Sequence, residues 1–333
     1  MTLRTLAARA GVSVAVVSAV INDSPHVRMS QATRDRVLRE IERAGYVPNQ
    51  AARSLRLRRS KTLAVVLPAL QNPIFGPALE GIYGEAERQG YVIMLGEAQH
   101  LAAGSGLMER VVARGGADGL LVRATSSLRA STLRRILGSR TPVVSLEPHP
   151  DVRSVTVDDA AGVRLATRHL VEAGHRRVAF FGGDPDYRGT STRAGAFRAT
   201  LAAAGVPVGE SDVRLAPQEP TRAYGPAREL LRARPELTAV VCNNVTTAFG
   251  VAAAAYDLGI RVPTDLSLVA FHDVPDAAAF RPAITAVRMP MRELGERGVL
   301  ALLAAVAGEA VEDTVVPEPP LLVERGSVAP PAR

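Results

Sequence analysis

The 333-residue chain exceeds one ordinary domain, and a hydrophobic content of 47% supports a large buried core and excludes a mainly disordered protein. No charge-free apolar run approaches the roughly 18 residues that a membrane span needs. The opening MTLRTLAARAGVS lacks the apolar stretch of a signal peptide, so a cytoplasmic protein without a membrane partner is expected. Residues 1–61 carry 12 Lys and Arg against 4 Asp and Glu, whereas the other 272 residues carry 28 against 29. A basic head on a neutral body points to an anionic partner for the head alone.

From the N-terminus, Leu3, Leu6, Ala7 and Ala10 recur at helical spacing, and Gly11 stops that helix. Ser13 offers a capping oxygen to a second helix over 14–21, in which Val16, Val17, Val20 and Ile21 are apolar. After the turn residues 22–25, Ser30 caps a third helix over 31–44, expected to turn Val37, Leu38, Ile41 and Ala44 inward and Arg34, Arg36, Arg39 and Arg43 largely outward. Three short helices with a glycine turn between the first two make a helix-turn-helix, whose second helix fits a major groove. A small helical bundle with a solvated basic surface would show the same helices, but the charge segregation and the next segment favour DNA.

That segment, 46–61, begins with Tyr46 and an extended Pro48, and Asn49 caps a short helix ending near Leu57. So short a helix is marginal alone and should order only against a partner chain and DNA. Its arginines 53, 56, 58 and 59 suit phosphates, and Leu55 is an apolar side chain amid charge, as a minor-groove wedge would be.

From Lys61 onward short apolar strands alternate with amphipathic helices, the sign of βαβ units and parallel sheets. Strands are expected at 62–67, 91–95, 119–122, 142–146, 154–157, 177–181, 238–242, 266–271 and 284–288, with one more near 320. Helices are expected at 77–89, 159–173, 192–204, 223–233, 246–258 and 291–307. In the first of these, Leu79, Ile82, Tyr83 and Ala86 share a face. About 270 residues of such units exceed one sheet, so two similar lobes are expected.

In parallel α/β sheets ligands sit beyond the carboxyl ends of the strands. That rule selects residues 71–75, Arg123 with 124–126, and Glu147 in the first lobe. In the second it selects Asp184 to Arg193, Gln218, Asn243-Asn244 and His272-Asp273. Arg193 suits a carboxylate or a pair of sugar hydroxyls; a helix-start salt bridge is the other use for it.

Enzyme chemistry finds little support. The single cysteine, Cys242, excludes a disulfide framework and reads as a small buried residue. His175 precedes a strand and suits a local hydrogen bond. Lys61 is the only lysine, no G-x-S-x-G precedes His272-Asp273, and Gly182-Gly183-Asp184 lacks the dinucleotide and P-loop patterns. No His, Cys and carboxylate grouping has metal-ligand spacing. Catalytic residues, metal and cofactor are therefore expected to be none.

The runs LRTLAARAGVSVAVVSAVIND and RMSQATRDRVLREIERAGYVPNQAARSLR resemble the head and hinge of the lactose/galactose repressor (LacI-type) family. The likeness continues through VLPALQNPIFGPALEGI, HLVEAGHRRVAFFGG, GIRVPTDLSLVAF and TAVRMPMRELGERGV, and so covers essentially the whole chain. It implies an α/β fold: an N-terminal all-α helix-turn-helix domain (1–46), a hinge helix (47–60) and a two-lobed periplasmic-binding-protein-like core (61–333) of parallel sheets flanked by helices. The implied lobes are 61–157 with 289–320, and 158–288 with 321–333. It further implies a transcription repressor that binds a palindromic double-stranded DNA operator as a homodimer, allosterically controlled by a small-molecule effector in the cleft, a sugar or sugar derivative.

Carried over residue by residue, the likeness implies phosphate contacts from Thr2, Ser13, Ser18, Asn22 and Tyr46 and base reading by Val14, Ala15 and Ala19. Leu55 would be the minor-groove lever, with Asn49, Ala52 and Arg53 beside it. Val16 stands where the family has a phosphate-gripping threonine, and Ala19 where it commonly has a guanine-reading arginine. Greater reliance on hinge and DNA shape follows. Effector contacts would fall to Phe75, Arg193, Asn243 and His272, with Arg123, Glu147 and Gln218 on the neighbouring loops. Asn244 and His272 replace family carboxylates, which shifts the expected local field positive and raises an acidic or phosphorylated metabolite beside the sugar. The other reading open to the sequence is a solute-binding protein without DNA function, which would lose nothing on deletion of 1–60.

Overall fold

The computed structural model describes residues 2–21, 27–46, 59–98, 115–123, 141–185 and 187–332. It divides into two compact units, Met1–Ser60 and Lys61–Arg333. The expected hinge helix, with Asn49, Ala52, Arg53 and Leu55, lies outside the described residues, as do Asn22 and 124–126.

In the first unit, helices α1 (Leu3–Ala10), α2 (Val14–Ile21) and α3 (Gln31–Arg43) enclose a core of Leu6, Ala7, Ala10, Val17, Val20 and Val37. Gly11, at φ +62°, caps α1 by donating its N–H to the Ala7 and Ala8 carbonyls. The Ser30 hydroxyl accepts the Thr33 N–H at 3.2 Å and starts α3. Glu40 of α3 ties the helices together, pairing with Arg9 of α1 at 3.1 Å and Arg43 at 3.2 Å. Leu38, expected inward, is 46% exposed, because it lies one position, about 100° of helix, round from the buried Val37.

The second unit has two lobes. In the first, strands β1 (Thr62–Leu67), β2 (Val92–Glu97), β3 (Gly119–Val122) and β4 (Val143–Ser145) form a parallel sheet in the order β2-β1-β3-β4. The run TLAVVL is buried along five of its six residues, as a strand covered on both faces should be. Helix α4 (Gly76–Arg88) follows a short 3-10 turn, Pro73–Phe75. Tyr83, placed on its inner face from the sequence, is 62% exposed; the helix seats Ala78, Ile82, Glu85 and Ala86 instead.

Strand β5 (Val155–Thr156) leads into the second lobe. There α5 (Asp159–Glu172), β6 (Val178–Phe181), α6 (Arg188–Ala203), β7 (Val213–Arg214), α7 (Pro220–Ala233), β8 (Ala239–Cys242), α8 (Val245–Asp257), β9 (Ser267–Phe271), α9 (Pro275–Ala279) and β10 (Thr285–Arg288) follow in turn. The chain then returns to the first lobe as α10 (Met291–Ala307), where Gly81 and Gly295 let α10 lie directly on α4. A Cβ on Gly295 would run into the Ala78 carbonyl, and one on Gly81 into that of Arg292. Strand β11 (Thr314–Val315) pairs with β5, and the chain crosses once more to place β12 (Leu321–Val323) antiparallel to β10. The second sheet runs β12-β10-β9-β8-β6-β7. Among the described residues no single helix is long and apolar enough to cross a membrane.

Candidate nucleic-acid interface and ligand cleft

In the head, Thr2 and Ser13 sit where the two helices begin. The Thr2 hydroxyl accepts the Thr5 N–H at 3.3 Å, and the Ser13 hydroxyl accepts that of Val16 at 3.4 Å. Helix N-termini carry partial positive charge, so hydroxyls placed there are suited to phosphate oxygens. On α2, Val14 is 40% exposed and Ala15 is also open, whereas Ala19 is only 4% exposed. Of the three expected base readers, two present methyl groups outward and one does not. Val16 packs partly on the head core, as does Tyr46; Ser18 is half-buried.

A cleft of about 1130 Å³ opens between the two lobes of the second unit. It lies at the carboxyl ends of the strands, where βα loops converge and main-chain polarity faces the opening. Phe75, Arg123, Arg193 and Gln218 line it, as the sequence placed them. Glu147, Asn243 and His272 are not among the lining residues and are almost wholly buried. Gln218 accepts from the Asn244 amide at 3.0 Å, and Asn244 in turn caps α8 by accepting the Thr247 N–H at 2.8 Å.

Arg193 projects from α6 and is 2% exposed. It donates to the Asn243 carbonyl at 3.0 Å and to the side-chain oxygen of Asn243 at 3.4 Å. It pairs with Asp159 at 3.2 Å, meets His272 Nε2 at 3.4 Å, and stacks 4.0 Å above the Phe271 ring. The salt-bridge use and the cleft position therefore coexist in one side chain. His272 adopts φ +65°, a left-handed conformation rare outside glycine, which turns its ring edge-on to Phe271. Burial, then Arg193 and Arg123, holds its imidazole well below the usual range, so it is neutral. Asp273, next in sequence, pairs with Arg288 at 2.7 Å and Arg325 at 2.8 Å, tying this loop to the end of β10 and to the segment after β12.

Across the cleft, Arg123 follows β3. Its Nε lies 3.6 Å from Glu147, and its Nη2 donates to the Tyr187 hydroxyl at 2.7 Å. Burial pushes the Glu147 carboxyl up to about 7, against the pull of the Arg123 guanidinium and the Tyr187 hydroxyl. Arg193 thus faces the carboxylate of the partly buried Asp159, Arg123 lies beside a Glu147 carboxyl that ionises only near pH 7, and His272 adds no charge. The positive field expected from the sequence is reduced accordingly: Asp159, the first residue of α5, offsets Arg193, and Glu147 offsets Arg123 only where it is ionised.

Several buried polar atoms beneath the cleft lack a hydrogen-bond partner: Arg193 Nε, Asn243 Nδ2, Thr190 Oγ1, His272 Nδ1 and Glu147 Oε2. Such atoms are costly unless something meets them. Gly183, at φ +104°, permits this crowding, since a Cβ there would lie 2.6 Å from Thr190 Cγ2 and 3.2 Å from Asn243 Cγ. Sequence reasoning missed Asp159, Thr190 and Tyr187. The last two lay within the selected loop 184–193, and Asp159 was visible only as an acidic first-turn residue. His175, expected to bond locally, bonds across the fold instead, to Thr238 at 2.9 Å and to the Ala329 carbonyl at 2.9 Å. Among the described residues no group of His, Cys, Asp and Glu is arranged to hold a metal ion.

A helix-turn-helix unit joined in sequence to a two-lobed α/β core with a polar cleft defines a ligand-responsive DNA-binding regulator. The first unit matches the model for bacterial regulatory proteins of the lacI family over residues 2–49, and the core matches a periplasmic binding protein-like domain over 167–328. The HTH-type transcriptional repressors PurR of Erwinia tasmaniensis and Klebsiella pneumoniae are each 30% identical to the chain, covering 98% of it and 97% of their own length. A solved transcriptional regulator CelR–cellobiose complex is 28% identical with a TM-score of 0.72, covering 98% of this chain and 99% of that one. The lac repressor dimer bound to operator and the anti-inducer ONPF shares the fold at a TM-score of 0.82 and 23% identity, over 99% of each chain. The chain belongs to the lacI family of bacterial regulatory proteins and is a DNA-binding transcription regulator. These curated relatives are repressors rather than enzymes, and they include the DNA-binding head, so the reading as a solute-binding protein without DNA function falls away.

Proposed function

We propose that the protein is a dimeric repressor of a palindromic operator, released or recruited by a neutral, hydroxyl-rich small molecule held in the inter-lobe cleft. The observation that carries this reading is the set of buried, unpartnered polar atoms of Arg193, Asn243 and Thr190 beneath a cleft in which Arg193 is already paired with Asp159 and Arg123 already lies against Glu147. A ligand bearing hydroxyls satisfies such atoms without a charge of its own. The aromatic faces of Phe75 and Tyr187 suit the apolar face of a ring. Cellobiose in the related CelR complex supports the same class.

In the head, Thr2, Ser13, Ser18 and Tyr46 hold phosphates, and Val14 and Ala15 meet thymine methyls. Two-fold symmetry of the site matches two copies of the head, one per half-site. The relatives' repressor activity favours repression here. Two experiments test the reading with the full chain. Selection of bound duplexes from a random pool should return a palindrome; an unenriched pool contradicts the DNA half. A thermal-shift panel should show stabilisation by neutral sugars; stabilisation by sugar acids or phosphates alone contradicts the effector half.

A further inference from the structure

Among the described residues, Arg123 and Tyr187 join the two lobes inside the cleft. Arg123 stands on the first lobe, anchored by its own N–H, which donates to the Val66 carbonyl of β1 at 2.9 Å. Tyr187 belongs to the second lobe, at the residue before α6. The guanidinium lies 5.2 Å from the Phe75 ring centroid and 5.7 Å from that of Tyr187, so it sits between two aromatic faces while donating to the phenol at 2.7 Å. A short charge-assisted bond, screened from water and flanked by rings, is stronger than a surface contact of the same length.

The Tyr187 ring is placed there by its neighbour. Gly189, in the first turn of α6, leaves the space that the ring fills; a Cβ at that position would come within 2.6 Å of the ring Cζ and 2.8 Å of the hydroxyl. Gly189 has no left-handed backbone to explain it, and alanine is the better helix former. The backbone therefore does not call for glycine here, whereas the ring does.

We propose that Arg123 and Tyr187 form a latch across the cleft, set by Gly189, and that an effector enters by offering Arg123 an acceptor in place of the phenol. The proposal rests on the reading of the cleft as the effector site. It makes Tyr187 a determinant of specificity: a ligand lacking an acceptor within reach of Arg123 leaves the latch shut. Opening costs the bond and the stacking, and that cost is subtracted from every ligand's apparent affinity, as for any site whose competent state is a minor population.

The test needs no effector. Spin labels on cysteines introduced at two exposed positions, Tyr83 on the first lobe and Tyr256 on the second, report the inter-lobe distance in the full chain, with the native Cys242 buried and unlabelled. With labelled chain diluted in excess unlabelled chain, so that a dimer carries one labelled copy, the unsubstituted background should give one narrow distance distribution. Tyr187→Phe, which removes only the hydroxyl, and Gly189→Ala, which keeps the hydroxyl but displaces the ring, should both broaden it and add a second distance. Thermal unfolding of both variants checks that the core is intact, and Gly225→Ala, with nothing within 4 Å of its Cβ, serves as a control. Distributions for Tyr187→Phe and Gly189→Ala that superimpose on the background would overturn the latch, whatever the panel of sugars shows. A panel without any binder would remove the effector reading while leaving the distance result intact.

Discussion

Glu147 offers the sharpest quantitative test of the cleft's electrostatics. Its carboxyl is 5% exposed, and burial pushes it from an ordinary 4.5 up to about 7, opposed by Arg123 and Tyr187. The folded protein then keeps this proton up to about pH 7, while the unfolded chain releases it near 4.5. Its contribution to stability is complete below 4.5 and is lost as pH rises through 7. At about 1.4 kcal/mol for each pH unit of displacement, the full change is about 3 kcal/mol, or about 5 °C in Tm for a core of this size. Glu147→Gln has no proton to lose. Subtracting its Tm from that of the natural chain at each pH cancels the titration of His149, His175 and His272, all held below their usual range and all costing stability as pH falls below 6.5. The difference should move against the natural chain by about 5 °C between pH 5 and 8. Parallel profiles would refute the argument and mean that Arg123 keeps Glu147 ionised throughout.

Other consequences follow from the packing and the charge pattern. Gly295→Ala forces a methyl into the Ala78 carbonyl and should cost the core about 1–3 kcal/mol in urea unfolding, with head unfolding unchanged. Ser30→Ala removes the cap of α3 and should lower head stability by about 1 kcal/mol without moving the core transition. If a dimer neutralises roughly 6–10 phosphates, operator affinity should fall about 10³- to 10⁵-fold between 50 and 200 mM salt, and a titration by fluorescence anisotropy reads that slope directly.

The architecture was legible because its signals are periodic. Buried parallel strands such as Thr62–Leu67 and Ala239–Cys242 are unbroken apolar runs, and Gly90, Gly174 and Gly308 punctuate the helices at positive φ. Strands of two residues, β7 and β11, carry no alternation and went unseen. Helix α7 starts three residues earlier than the apolar pattern suggested, because Pro220 fits the first turn, where no N–H is needed. Helix α6 starts four residues early, at Arg188, in a stretch of glycine, serine and threonine that propensity disfavours. At the site, the strand-end rule found Phe75, Arg123, Arg193 and Gln218 because topology alone puts loop residues there. It could not find the partners. Asp159 reaches Arg193 from a helix 34 residues away, and Tyr187 reaches Arg123 from the opposite lobe, 64 residues on. The first pairing lowers the local positive field, the second joins the lobes, and both exist only in three dimensions.

In this proposal, ligand in the cleft and DNA on the head change each other's affinity. The direct measurement is the operator affinity of the full chain at fixed salt, with and without a saturating sugar that raises its Tm. A change of about 5- to 150-fold in either direction, accompanied by an equal change in sugar affinity when operator is present, is predicted. Identical operator affinity with the sugar bound would contradict it.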